Sequence, residues 1–128
     1  MIRNYFYKDG LESDRLRTRF ITREDILSWS RFFEHEEAAR YILNTGHADP
    51  VDRATHWVEK QLKRYHDQTF GLQVLMRKGD AGIIGMCGLL EQEIEGVKEV
   101  EVGYHIFPEY WGQGYAPEAA RLPPARRW

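Results

Sequence analysis

The most constraining feature of the sequence is an alternating segment that runs directly into a glycine-bearing turn. Over residues 99–107, apolar side chains alternate with polar or small ones, which is typical of a strand with one buried face. Pro108 ends this strand, and a turn at residues 111–116 leads into residues 118–120, which have the composition of a helix start. The segment therefore predicts a strand, a turn and a helix in that order.

A turn of small residues in front of a helix is suited to binding an anion. Backbone N–H groups converge there, and the helix macrodipole also favours negative charge. A pyrophosphate group is a suitable occupant. An isolated Gly-x-Gly such as Gly112 to Gly114 is more often a turn whose glycines only relieve backbone strain, so the turn alone leaves both interpretations open.

The first part of the chain predicts one strand and a helical region. Leu16, Thr18 and Phe20 alternate with arginines, which predicts the first strand over residues 16–21. Thr22 and Asp25 then form a variant of the capping box. We expect a helical region from there to Ile42, with a break near His35.

A second helix and three further strands follow. Asp49 before Pro50 is a favourable helix start, and we expect this helix to run to about His66. Its apolar stripe consists of Val51, Ala54, Val58, Leu62 and Tyr65. The pattern then changes to a period of two, which predicts consecutive antiparallel strands over residues 70–76, 83–91 and 99–107, joined by turns at residues 78–80 and 95–96.

Composition limits the classes of partner. Lysine and arginine total 18 against 20 for aspartate and glutamate, so the net charge of -2 gives no strong attraction to nucleic acid or to anionic membranes. The most apolar window, residues 81–90, is too short to span a bilayer. We therefore expect no nucleic-acid partner, no membrane association, and a single domain over residues 1–128.

Cysteine and histidine usage indicates a reducing compartment and no metal site. Cys87 is the only cysteine, which excludes an internal disulfide and favours a cytoplasmic location. Its strand position between Met86 and Gly88 favours a buried, inert thiol over a nucleophile. The five histidines lack the spacing of zinc ligands, so we predict no metal site.

The run from Val100 to Ala119 resembles the cofactor-binding motif of the GNAT acetyltransferases, especially the branch that includes the ribosomal-protein alanine N-acetyltransferases. Gly114 and Ala116 match the small positions of that motif, whereas Trp111 stands where the motif has arginine or glutamine. Residues 11–16 and 85–89 are similar to the family's first and third strands. The resemblance implies an α+β fold with a mostly antiparallel sheet and flanking helices, without the family's C-terminal strands.

The resemblance implies acetyl-coenzyme A (acetyl-CoA) as acetyl donor and an amine as acceptor. The pantetheine arm would pair with exposed backbone groups of the last strand, at Tyr104, His105 and Ile106. The pyrophosphate would meet backbone N–H groups of the turn, at Gly112, Gln113, Gly114, Tyr115 and Ala116. Pro117 has no N–H group and contributes none.

Acetyl transfer requires an acceptor for the amine proton, a donor to the oxyanion and a proton for the leaving thiolate. Glu101 is the first candidate to accept the amine proton, through water, and Glu99 on the same strand face is the second. Both also fit solvated carboxylates without a role. The resemblance implies a backbone N–H of the last strand as oxyanion donor. In the family the thiolate proton often comes from a tyrosine or serine beyond the motif, for which we find no counterpart.

The last residues depart from the family pattern. Residues 121–128 are rich in arginine, proline and alanine, and we expect this atypical tail to be truncated or out-of-frame sequence. Reading the gene downstream in the other two frames tests this. A sheet that ends at its fourth strand has an open edge, so we also expect homo-oligomers formed through that edge. The alternative to an N-acetyltransferase is a truncated, non-catalytic remnant that only binds coenzyme A or self-associates.

Overall fold

A four-stranded antiparallel sheet organises the described part of the chain. The structure is a computed structural model, which describes residues 7–39, 49–80 and 82–122. The strands lie side by side in chain order, and each pairs antiparallel with the next. They are β1 (Leu16–Phe20), β2 (Phe70–Arg77), β3 (Ile83–Ile94) and β4 (Val97–Ile106). The predicted antiparallel α+β architecture is confirmed.

The connection from β1 to β2 supplies helices that cover one face of the sheet. They are α1 (Ile26–Ser30), α2 (Glu36–Ala39) and α3 (Pro50–His66). The predicted capping box is present, because Asp25 Oδ2 accepts a hydrogen bond from the Thr22 N–H at 2.8 Å. Short 3₁₀ segments flank α1, and His35 has extended backbone angles, which confirms the break there. The predicted end at Ile42 lies outside the described residues.

Helix α3 begins and ends at the predicted residues. Asp49 caps it through Oδ1, which accepts a hydrogen bond from the Val51 N–H at 2.7 Å, and Pro50 occupies its first turn. Val51, at the start of the predicted apolar stripe, is 40% exposed, whereas Ala54 and Val58 of the same stripe are fully buried. None of the helices within the described ranges is long and apolar enough to cross a membrane.

A tight turn makes the β3–β4 hairpin longer than the sequence predicts. Glu95 and Gly96 have positive φ angles of 51° and 81°, as in a type I′ turn. The twist of such a turn matches that of its strands, so pairing continues to the base of the turn. As a result β3 extends beyond its predicted end at Glu91, and β4 begins before Glu99.

The sheet carries an apolar cluster on each face. Under α1 and α3, the fully buried Trp29 stacks on Phe32 with ring centroids 4.6 Å apart. The opposite face buries Cys87 together with residues of β1, β2 and the last helix. Burial raises the pKa of the Cys87 thiol to about 12, so the predicted buried position is confirmed and the thiol stays protonated at neutral pH.

At Gly85 the backbone of β4 lies too close for any side chain. A Cβ atom there would lie 2.2 Å from the His105 carbonyl oxygen and 2.9 Å from Ile106 Cα. Both are main-chain atoms, so a methyl group would displace the strand itself. Gly85 therefore allows the end of β4 to lie close against β3.

Alanine at Gly85 tests this contact. We expect Gly85→Ala to lower the free energy of unfolding by about 2 kcal/mol, because overpacking forces backbone shifts. Gly82→Ala is the matched control, since a Cβ atom there meets only Asp80 Oδ1, at 3.6 Å. Urea unfolding followed by circular dichroism measures both variants. Equal stabilities would contradict the close approach of β4.

Candidate active site

The predicted turn leads into a short helix, α4 (Tyr115–Ala120), which begins earlier than the predicted start at Glu118. Gly114 is its N-cap residue and has a φ angle of 82°, in the left-handed region that favours glycine. The N–H groups of Tyr115 and Ala116 lie in the first turn, where they have no acceptor within the helix. The turn therefore presents backbone N–H groups outward.

A cleft of about 580 Å³ opens where β4 ends and this turn begins. Phe32 and Ala38 in its wall belong to the apolar cluster under the helices, whereas Tyr115 and Ala116 belong to the cluster on the opposite face, so the cleft contacts both sides of the sheet at the edge of β4. Gln113 does not border it; its carbonyl oxygen accepts a hydrogen bond from Arg15 Nη1 at 2.9 Å. The other predicted cofactor residues all border it: Tyr104, His105, Ile106, Gly112, Gly114, Tyr115 and Ala116.

The hydrogen-bond ladder with β3 determines which backbone groups of β4 face the cleft. The Phe107 N–H donates to the Ile84 carbonyl oxygen at 2.9 Å. Since alternate residues of an antiparallel strand face the same neighbour, His105 also directs its backbone groups to β3. Tyr104 and Ile106 direct theirs to the free edge. The expectation of exposed backbone groups therefore fits Tyr104 and Ile106 but not His105.

Trp111 occupies one hydrogen-bond acceptor at this edge, the Ile106 carbonyl oxygen. Its indole Nε1 donates to the Ile106 carbonyl oxygen at 2.8 Å, which joins the end of β4 to the turn. The Ile106 N–H and both backbone groups of Tyr104 are the remaining edge groups that border the cleft. The tryptophan that departs from the family motif thus has a structural role in this chain.

His105 contributes its side chain rather than its backbone. Its ring packs against Phe32 and Trp57, with centroid distances of 5.9 Å and 5.0 Å. Burial lowers the pKa of His105 to about 4, because the charged form loses its hydration. The imidazole is therefore neutral at pH 7.

The two predicted proton acceptors lie away from the cleft. Glu99 and Glu101 are exposed and do not border it. Glu101 Oε1 accepts a hydrogen bond from Gln92 Nε2 at 2.6 Å, across the hairpin. Any action of these carboxylates on the cleft would require intervening water. No three histidine, cysteine, aspartate or glutamate side chains within the described ranges are grouped as metal ligands.

The buried carboxylate of Glu118 joins α4 to the residues before β1. Sequence reasoning did not single it out. Glu118 in α4 accepts hydrogen bonds from the Ser13 hydroxyl, from Arg15 Nε at 2.7 Å and from the Arg15 N–H at 3.0 Å. The guanidinium of Arg15 also lies 4.5 Å from the centroid of the Tyr115 ring. In the sequence, the only hint of a contact between Arg15 and Glu118 is their opposite charge. Many other pairs of residues in the chain are also oppositely charged, so this hint is not specific.

Hydrogen bonds from Ser13 and Arg15 lower the pKa of Glu118 to about 2, against an ordinary value of 4.5. The carboxylate is thus ionised throughout the neutral range. Its interactions tie α4 and the turn to the beginning of β1.

Comparison with known proteins agrees with this geometry. Residues 15–124 match the model of the acetyltransferase (GNAT) domain. The uncharacterized protein YkkB of Bacillus subtilis (strain 168) is 28% identical over 115 residues, which cover 89% of this chain and 65% of that protein. The chain therefore spans slightly less than two thirds of that relative's length.

Two solved structures have similar folds. The ribosomal-protein-S5-alanine acetyltransferase from Vibrio fischeri matches with 18% identity and a TM-score of 0.62, over 88% of this chain and 63% of that one. The microcin C7 self immunity acetyltransferase MccE, solved in complex with acetyl-CoA and AMP, matches with 11% identity and a TM-score of 0.57, over 84% and 59%. At these identities the likeness concerns the fold alone.

The low pKa of Glu118 predicts a pH-dependent contribution to stability. Because the folded-state pKa lies below the ordinary 4.5, the contribution is complete above that value and is lost as the pH falls toward 2. We expect Glu118→Gln to lower the free energy of unfolding by about 1–2 kcal/mol at pH 7, and by much less at pH 2.5.

Urea midpoints between pH 2.5 and pH 7 measure this difference, with the exposed Glu24→Gln as control. A destabilisation by Glu118→Gln that is independent of pH would contradict the ionised contact.

Proposed function

This chain belongs to the GNAT acetyltransferase family, and we propose that it transfers an acetyl group from acetyl-CoA to a primary amine. The amine is a protein N-terminus or a small molecule. MccE, whose structure contains acetyl-CoA, has a similar fold, which supports this donor. Because the chain spans less than two thirds of the relatives compared above, the activity is a proposal for the protein as a whole.

The observation that carries the proposal is the meeting of a free strand edge with a turn of outward N–H groups. Acetyl-CoA has an amide-bearing arm and a pyrophosphate, and these need different partners. Tyr104 and Ile106 offer edge groups to the arm, while Gly114, Tyr115 and Ala116 offer N–H groups to the anion. The cleft joins the two sets, so one extended ligand can occupy both.

The chemistry requires a neutral amine to attack the thioester carbonyl. The developing oxyanion would accept a hydrogen bond from an outward N–H of β4, for which Ile106 and Tyr104 are candidates. Glu101, and secondly Glu99, would receive the amine proton through water, since neither carboxylate borders the cleft.

A non-catalytic role is the second candidate, and the free edge of β4 is the observation that favours it. Within the described residues β4 pairs with β3 alone, so an unpaired row of backbone groups is available to a second copy of the chain. In this alternative the protein binds coenzyme A or self-associates without transferring acetyl groups. For either role the lone Cys87 supports a cytoplasmic location.

A pair of glycine variants tests the cofactor site. Gly114 and Gly96 both have left-handed φ angles, of 82° and 81°, so alanine at either costs about 1 kcal/mol of backbone strain. Only Gly114 borders the cleft. We expect acetyl-CoA to raise the melting temperature of the natural protein and of Gly96→Ala, and to raise that of Gly114→Ala much less.

A thiol-release assay with a panel of amines then separates an enzyme from a binding protein. Thiol release supports acetyl transfer, whereas a thermal shift without thiol release supports the non-catalytic role. No thermal shift at millimolar acetyl-CoA would overturn the cofactor site itself.

Proline at Val102 tests self-association through β4. By the alternation of the ladder the Val102 N–H is directed to the free edge, so Val102→Pro removes an edge donor and leaves pairing with β3 in place. We expect the natural protein to form oligomers and Val102→Pro to shift toward monomer. Val102→Ala controls for lost side-chain packing, and sedimentation velocity measures all three. A monomeric natural protein would contradict the proposed edge contact.

A further inference from the structure

We infer that the imidazole of His105 accepts the proton that the amine loses as it attacks the thioester. This inference rests on the proposed acetyl transfer and adds a side chain to it. The sequence assigned His105 only a backbone role, whereas its backbone groups face β3. The side chain is the part of His105 that is available for chemistry.

Aromatic packing holds the ring without using its nitrogens. The rings of Phe32 and Trp57 meet it edge to face, at interplanar angles of 80° and 84°. Within the described residues neither ring nitrogen takes part in a hydrogen bond or an ion pair. A polar group placed at a cleft with its hydrogen-bonding capacity unused is available to a ligand.

Within the described part of the chain, the groups that face His105 carry no charge. Phe32 packs against it from the helical layer and Trp57 from α3, while Met86 lies opposite it on β3. Burial lowers the pKa of His105 to about 4. At neutral pH one nitrogen therefore has a free lone pair, as a proton acceptor requires.

The composition of the cleft wall singles out this residue. Among the described residues that line the cleft, His105 is the one with an imidazole, and none of them has a carboxylate. Glu101 lies on the same face of β4 but four residues earlier, which is about 13 Å at the rise of a strand. His105 borders the cleft and Glu101 does not, so His105 is the group within reach of a ligand held there.

His105 alone can account for the proton in both steps of the transfer, because it takes the proton from the amine and then gives it to the thiolate. As the amine nitrogen bonds to the acetyl carbon it becomes positively charged, and its proton passes to the free nitrogen of His105. The carbon–sulfur bond then breaks, and the amide and a thiolate form. Because an imidazolium with a pKa of about 4 is a stronger acid than an ordinary thiol, it gives the proton to the thiolate and returns to its neutral form.

Nuclear magnetic resonance of the ring nitrogens tests the contact without requiring turnover. We expect coenzyme A to change the ¹⁵N chemical shifts of the His105 imidazole, because its thiol would lie within reach. Desulfo-coenzyme A is the matched probe that lacks the sulfur, and we expect it to bind with a clearly smaller change. Equal effects of the two probes, or bound coenzyme A without any effect, would overturn the inference. Failure of both to bind would defeat the proposed function, and the inference with it.

Two variants test the proton transfer. His105→Gln removes the titratable group, and His105→Phe keeps an aromatic ring against Trp57 and Phe32. We expect both to lower kcat about 100-fold and to leave the KM for acetyl-CoA within twofold. His66→Gln, at an exposed residue at the end of α3, is the histidine control. Melting temperatures check that each variant folds.

Glu101→Gln tests the competing assignment, in which Glu101 and not His105 accepts the amine proton. If Glu101→Gln lowers kcat as far as expected for His105 while His105→Gln and His105→Phe retain the natural kcat, His105 is not the acceptor. An equal loss of kcat and of acetyl-CoA affinity in both His105 variants would likewise assign the ring a packing role.

Discussion

The cleft depends on the register of the ladder between β3 and β4. The hydrogen bond from the Phe107 N–H to the Ile84 carbonyl makes alternate residues face β3, and it leaves Tyr104 and Ile106 to supply the free edge. A slip of one residue would exchange these two sets and move every side chain of β4 to the other face. The type I′ turn at one end of the hairpin and the close approach at Gly85 at the other both oppose such a slip.

The polar chemistry of the site is concentrated in few groups because its walls are mainly aromatic and aliphatic. Backbone N–H groups at the start of α4 have fixed directions, so they need no side-chain ordering to meet an anion. The packing of His105 against Phe32 and Trp57 likewise fixes the orientation of its imidazole. These groups are positioned before any ligand arrives, which lowers the entropy cost of binding.

Local signals made much of the fold predictable from sequence. The start of α3 was predictable because proline and aspartate act within one turn, and the faces of β4 were predictable because side chains of a strand repeat every two residues. Periodicity does not report how far a hairpin continues. The extension of β3 past Glu91 follows from the tight turn at Glu95, whose positive φ angle only the structure shows. Nor does it report which edge of β4 each backbone group faces, which depends on pairing with β3. The contact between Arg15 and Glu118 and the aromatic setting of His105 arise from tertiary packing and have no local signature.

The bonds that anchor α4 join parts of the chain that are made at very different times. Arg15 and Glu118 are 103 positions apart in sequence. A ribosome releases Arg15 first, and the partner carboxylate follows only after β1, β2, β3 and β4 have all been synthesised. Closing so long a loop costs entropy, which the contacts of the intervening strands offset. The anchor of the cleft therefore forms only after all four strands have been synthesised, and a nascent chain held short of Glu118 has the strands but lacks this anchor.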